Sequence, residues 1–212
     1  MKLLLQRRVL YIAIFDRIEE TLPVCEALLA GGLDILEVPL RTSCALASIA
    51  AIRKTFPQMH VGAGTVLSTD QLKQAIDAGA TFAVAPGLNE KVVNAARDLN
   101  VAFIPGVMTP SETDRAIELG CYTLKLFPAS VLGGPSMLKA LAAPFAHTGA
   151  KFIPMGGVSQ ANAAEYLSMA ATAAIGGTWL ADRKLIAEKN WGRITELTKE
   201  AMKVAATVKP KE

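Results

Sequence analysis

Two charged residues stand in stretches that otherwise read as buried strands. Lys125 lies in Cys121-Tyr-Thr-Leu-Lys-Leu-Phe-Pro128 with Leu124 and Leu126 on either side, and Glu37 lies in Ile35-Leu-Glu-Val-Pro-Leu40. Taking an ammonium group out of water is costly, so a lysine in such a strand either carries its head to a polar mouth or gives up its proton more readily. In the second case the free amine attacks a ketone and forms a Schiff base. A carboxyl among apolar neighbours keeps its proton to higher pH than usual, which suits proton transfer near neutrality. Each residue also has a reading without chemistry: a lysine whose stem packs while its head reaches solvent, and a glutamate paired with Arg41 or another cation. An amine and an acid–base group that both intrude into apolar strands suit chemistry at the carbon beside a ketone.

Other polar and glycine positions gather at the ends of apolar runs. Gly156-Gly157 and Gly176-Gly177, the latter followed by Thr178, offer bare backbone whose N–H groups can approach a phosphate or another anion. Arg41 carries a planar fork of donors that matches a carboxylate, although a surface ion pair is the simpler use of it. Thr65 follows Gly62-Ala-Gly64 and either offers a hydroxyl to a ligand or caps the next helix. His60 and His147 are the two histidines, and Cys25, Cys44 and Cys121 lack C-x-x-C spacing. Neither a metal site nor a disulfide framework is expected from these.

The elements that must position these residues follow from hydrophobic periodicity. Strands are expected at 9–15, 35–40, 60–63, 82–85, 102–104, 122–127, 152–153 and 173–175, each short, apolar and rich in β formers. Helices alternate with them. Ser68-Thr-Asp-Gln71 and Thr109-Pro-Ser-Glu112 read as capping boxes, and Gly31-Gly32, Gly79 and Gly120 as helix stops. Eight strand–helix units without a linker or compositional break predict a single (β/α)8 barrel, a TIM barrel, over residues 1–212. The rival, an open doubly wound sheet, usually places G-x-G-x-x-G after the first strand, where Phe15-Asp-Arg-Ile18 stands here. In a barrel the strand ends carry function, and Lys125, Glu37 and both glycine pairs fall there.

The bulk composition narrows the partners. Apolar residues make up 51% of the 212, enough for a sizeable core, and the net charge is +3. Arg7-Arg8 is too short for a nucleic-acid footprint, and the basic end (Lys203, Lys209, Lys211) suits a solvated helix and tail. Met1–Leu5 is too short for a signal-peptide core, and no apolar run reaches the length of a membrane span. A cytoplasmic protein with a small-molecule ligand, binding neither nucleic acid nor membrane, is expected.

Six ordered motifs carry a resemblance over nearly the whole chain. They are Leu36-Glu-Val-Pro-Leu-Arg-Thr42, Val61-Gly-Ala-Gly-Thr-Val-Leu67, Ala85-Pro-Gly-Leu88, Lys125-Leu-Phe-Pro-Ala129, Pro154-Met-Gly-Gly-Val158 and Ile175-Gly-Gly-Thr-Trp179. With them the sequence resembles the class I aldolases acting on 2-keto-3-deoxy-6-phosphogluconate (KDPG) and 4-hydroxy-2-oxoglutarate (KHG). The resemblance implies that Lys125 forms the Schiff base with a 2-keto acid and that Glu37 moves the protons. It implies that Arg41 and Thr65 hold the carboxylate, that Pro86 and Phe127 shape the pocket, and that Gly156, Gly157, Gly177 and Thr178 take the phosphate. It also implies a homotrimer and no metal or organic cofactor, since the iminium is the electron sink. Met155 departs from the family's usual threonine, removing a hydroxyl expected near the substrate's own hydroxyls. Thr178 and Ala85 stand where serines are usual. The residues alone leave two alternatives open: a phosphate-binding isomerase or epimerase using Glu37 without covalent catalysis, and a non-catalytic barrel that binds a sugar-acid phosphate.

Overall fold

Strands and helices alternate as expected, with two additions. The computed structural model describes residues 2–210; Met1, Lys211 and Glu212 lie outside the described residues, and with Lys211 goes the last charge of the basic end. A short helix α1 (Lys2–Arg7), not foreseen from periodicity, precedes β1 (Val9–Ile12), α2 (Thr21–Ala30) and β2 (Ile35–Pro39). Then come α3 (Ala45–Thr55), β3 (His60–Gly64), α4 (Thr69–Asp77), β4 (Phe82–Val84) and α5 (Glu90–Asp98). The expected fifth strand at 102–104 is β5 (Ala102–Ile104), and a further short strand, β6 (Gly106–Val107), follows it; Pro105 between them has no N–H to give a ladder. After α6 (Pro110–Glu118) follow β7 (Thr123–Leu126), α7 (Gly134–Ala142), β8 (Lys151–Pro154) and α8 (Gln160–Leu167). β9 (Ile175–Gly177), α9 (Arg183–Ala187) and α10 (Trp191–Thr207) complete the series.

The helix starts obey the local chemistry that the sequence advertises. Thr109 Oγ1 accepts from the Glu112 N–H at 3.3 Å while the Thr109 N–H donates to Glu112 Oε2 at 2.9 Å, a reciprocal cap for α6. Ser68 accepts from the Gln71 N–H at the start of α4, so Ser68 and not Thr65 caps that helix. Each helix turns an apolar stripe inward. Val24 and Leu28 of α2, Ile49 and Ile52 of α3, Leu72 and Ala75 of α4, and Val92 and Ala96 of α5 are all buried. Burying a leucine or isoleucine of this kind contributes roughly 1.5–3 kcal/mol before entropy is counted.

All strand pairs are parallel. One sheet runs in the order β5-β4-β3-β2-β1-β9 and a second in the order β6-β7-β8. Backbone bonds lie beside both seams: the Lys125 N–H donates at 2.9 Å to the carbonyl of Pro105, between β5 and β6, and the N–H of Ala173, just before β9, donates to Phe152 O of β8 at 2.8 Å. In register, Ile12 pairs with Glu37 and Glu37 with Gly62, while Lys125 lies between Gly106 and Ile153. Because the strands run one way, their C-terminal ends open on one face, and that face receives the charged and glycine positions.

Candidate active site

Lys125 is the third residue of β7, with the fully buried Leu124 and Leu126 as neighbours. Its own side chain is buried too, at 5% exposure, so the reading in which its head reaches solvent does not hold. The Nζ atom lies 3.9 Å from Glu37 Oε1 and 5.1 Å from the centre of the Phe127 ring, whose face attracts a cation.

Glu37 is 1% exposed. Burial holds its carboxyl above the usual glutamate range, and the charges of Lys125 and Arg41 oppose that rise without cancelling it. Its Oε2 is buried with no hydrogen-bond partner among the described residues. Lys125 is therefore its ion-pair partner, and no pair with Arg41 forms among the described residues. Room for the carboxylate comes from Gly64: a Cβ there would overlap Glu37 Oε1 and lie 2.6 Å from Cδ.

A cavity of about 360 Å³ opens at this pair, and the ten residues to which the resemblance gives a role all line it; Gly176, first of the second glycine pair, does not. Arg41 and Thr65 come from the ends of β2 and β3, and Pro86 from the turn after β4. Thr65 adopts φ 56, the left-handed region that costs a non-glycine residue roughly 1–2 kcal/mol. Phe127 follows β7, and Gly156 and Gly157 follow β8 with φ of 86 and 83, a conformation that glycine supplies without strain. Gly177 and Thr178 close the ring of loops at the end of β9, where the Trp179 ring fills the place of any Gly177 side chain.

Ile12, Pro39 and Val158 also line the cavity. Their apolar side chains gave no chemical signal in the sequence; only strand position could have found them. Met155, the departure noted above, is fully buried, lies outside the cavity lining and packs on Gly176, where a Cβ would come within 2.8 Å of its Cε and Cγ. A larger hollow of about 550 Å³ beside α7, lined by alanines with Lys139 and Lys151, holds no buried charge and no part of this constellation. Among the described residues no group of His, Cys, Asp and Glu is arranged to hold a metal, and no helix is long and apolar enough to cross a membrane.

Parallel strands deliver a buried amine and a buried carboxyl to one cavity, an α/β arrangement in which an amine can meet a carbonyl compound. The model of the KDPG and KHG aldolase family matches residues 2–197, and the chain belongs to that family. It is 41% identical over 194 residues to the KHG/KDPG aldolase of Escherichia coli, covering 92% of this chain and 90% of the relative. Among solved structures, the KDPG aldolase of Legionella pneumophila, with pyruvate captured as a covalent carbinolamine, matches with a TM-score of 0.88 and 37% identity over 92% of this chain and 94% of that one. The KDPG aldolase of Zymomonas mobilis with 3-phosphoglycerate matches with a TM-score of 0.86 and 37% identity, covering 97% and 95%.

Proposed function

We propose that this chain is a class I aldolase that cleaves KDPG to pyruvate and glyceraldehyde 3-phosphate, and KHG to pyruvate and glyoxylate. The observation that carries the reading is the Lys125 Nζ atom 3.9 Å from a buried Glu37 carboxyl inside one cavity. The covalent pyruvate adduct of the Legionella relative supports it.

Lys125 Nζ attacks the C2 ketone, and Glu37 carries a proton from nitrogen to the developing alkoxide, giving a carbinolamine. A second proton to that oxygen releases water and leaves the iminium. Glu37, now a carboxylate, takes the C4 hydroxyl proton. The C3–C4 bond breaks as its electrons pass into the iminium, so the aldehyde departs and an enamine remains on Lys125. Glu37 returns its proton to C3, and water attacks the resulting iminium to release pyruvate and restore the amine. The iminium supplies the electron sink, so the steps need no cofactor. A carboxyl whose pKa is raised by burial suits this alternation of acid and base.

In this reading the Arg41 guanidinium and the Thr65 hydroxyl hold the C1 carboxylate, and Pro86 and Phe127 shape the walls. The backbone of Gly156, Gly157 and Gly177 and the Thr178 hydroxyl receive the phosphate, since bare backbone at these loops lets N–H groups approach an anion; the Zymomonas relative is seen with a phosphorylated acid, 3-phosphoglycerate. The all-parallel strand order and the backbone bonds beside both seams support one closed (β/α)8 barrel forming a single domain. A homotrimer and a cytoplasmic location complete the proposal, the latter in keeping with three free cysteines. Pyruvate release from KDPG and from KHG, followed by reduction with a coupled dehydrogenase, tests the function. Release from at least one is expected, and none from either, with folded protein, would refute it.

A further inference from the structure

The glycine loop after β8 is held by its carbonyls. Ala129 and Ser130, in the loop after β7, donate their N–H groups to Met155 O at 2.8 Å and to Gly156 O at 2.9 Å. The next carbonyl, Gly157 O, has a side-chain partner: Asn162 Nδ2 donates to it at 3.0 Å. Asn162 stands in the first turn of α8, where its Oδ1 accepts from the Ser159 N–H at 2.8 Å, so both ends of the amide are engaged. In a trans peptide the C=O and the following N–H point opposite ways. Tying the Gly156 and Gly157 carbonyls to β7 and α8 therefore turns the N–H groups of Gly157 and Val158 the other way. Neither of those N–H groups donates to another group among the described residues, and Gly157 and Val158 both line the cavity. Backbone donors left without a partner in this way seek an anion or water.

We propose that Asn162 is a positioning residue for anion recognition: by holding the Gly157 carbonyl against α8 it keeps the Val158 N–H turned into the cavity. Asn162 itself does not line the cavity, so it acts through the peptide and not on the substrate. With two φ-positive glycines in succession, that peptide has little side-chain restraint of its own, and a single amide bond decides its orientation. This proposal rests on the reading of the glycine loops as the phosphate site.

The test compares KDPG with its dephosphorylated analogue, 2-keto-3-deoxygluconate, and measures inhibition by inorganic phosphate. Asn162→Ala is expected to raise KM for KDPG and weaken phosphate inhibition by roughly three- to tenfold, the worth of one oriented hydrogen bond. It should leave kcat, and KM for the dephosphorylated analogue, within about twofold, a split that a general loss of structure would not produce. Asn162→Gln, which keeps both the acceptor and the donor, should recover most of the loss. Asn162→Asp keeps the acceptor for the Ser159 N–H, and with it the start of α8, but lacks the donor; it should lose KDPG affinity even if the alanine variant folds poorly. Unchanged KDPG affinity in the aspartate variant, or equal losses for both substrates in the alanine variant, would overturn the role of Asn162 alone. A wild-type enzyme indifferent to phosphate, on the substrate and in solution, would overturn the phosphate site and this role together.

Discussion

Gly64→Ala should disable catalysis by a single methyl group. The glycine lies at the end of β3 in register with Pro39, and its backbone is not in the left-handed region, so alanine meets no conformational penalty. The obstacle is steric. The new Cβ would overlap Glu37 Oε1 and stand 2.6 Å from Cδ and 2.7 Å from Cγ, about 0.8 Å short of where ordinary contact begins at 3.4 Å. Glu37 is 1% exposed and cannot swing into solvent, so it must shift inside the site, changing its 3.9 Å separation from the Lys125 amine. Overpacking of this kind costs roughly 1–3 kcal/mol, or about 2–12 °C in Tm for a chain of this size. Displacing a catalytic group by about 1 Å lowers kcat by about 100-fold. Steady-state cleavage of KDPG and a thermal melt measure the two effects. Gly192→Ala, where no other group of the described residues lies within 4 Å of the new Cβ, serves as a control with unchanged activity and an unchanged or slightly raised Tm. A Gly64→Ala enzyme that folds and keeps kcat within threefold of wild type would refute the placement of Glu37 as proton carrier.

Glu37→Gln should lower kcat by roughly 10²–10⁴-fold while allowing slower adduct formation with pyruvate, checked by single-turnover kinetics. The same variant reports on pH. The folded-state pKa of Glu37 lies above the ordinary value of 4.5, so its favourable contribution is full below that value and is lost as pH rises through the folded pKa. Glutamine does not ionise, so the variant's Tm relative to wild type should climb between pH 4 and pH 8; a flat or falling difference would contradict the burial argument. Met155→Thr should cost roughly 2–4 kcal/mol in denaturant unfolding, because a fully buried methionine packed on Gly176 is replaced by a smaller polar group.

Much of the site was legible because its residues break local rules. A lysine and a glutamate inside apolar strands, and double glycines near the ends of two late strands, stand out against the β pattern around them; the lysine, the glutamate, Gly156, Gly157 and Gly177 meet in one cavity, while Gly176 stays within β9 against Met155. The strand–helix alternation was legible for the complementary reason, that caps and apolar stripes agree with each other along the chain. What escaped notice depends on long-range contact. Gly64 reads as one more turn glycine until the Glu37 carboxylate is found where its side chain would be. Gly106 reads likewise, although a Cβ there would overlap the Pro86 carbonyl, and the residue opens β6, a strand that the periodicity did not show. Val9–Phe15 reads as one strand, yet the ladder ends at Ile12 and the buried Ala13 and Phe15 belong to the loop. Thr65 looked equally suited to capping a helix; the choice was made by Ser68, three residues on. Asn162 carried no signal, since an asparagine in the first turn of a helix is an ordinary cap.

The covalent role of Lys125 is tested most directly by intact-mass spectrometry after incubation with pyruvate and borohydride. Wild type should gain one reduced pyruvyl adduct, mapped by peptide digestion to Lys125, and Lys125→Ala should fold and gain none. Folded wild type without an adduct, or an adduct that persists in Lys125→Ala, would contradict the Schiff-base mechanism.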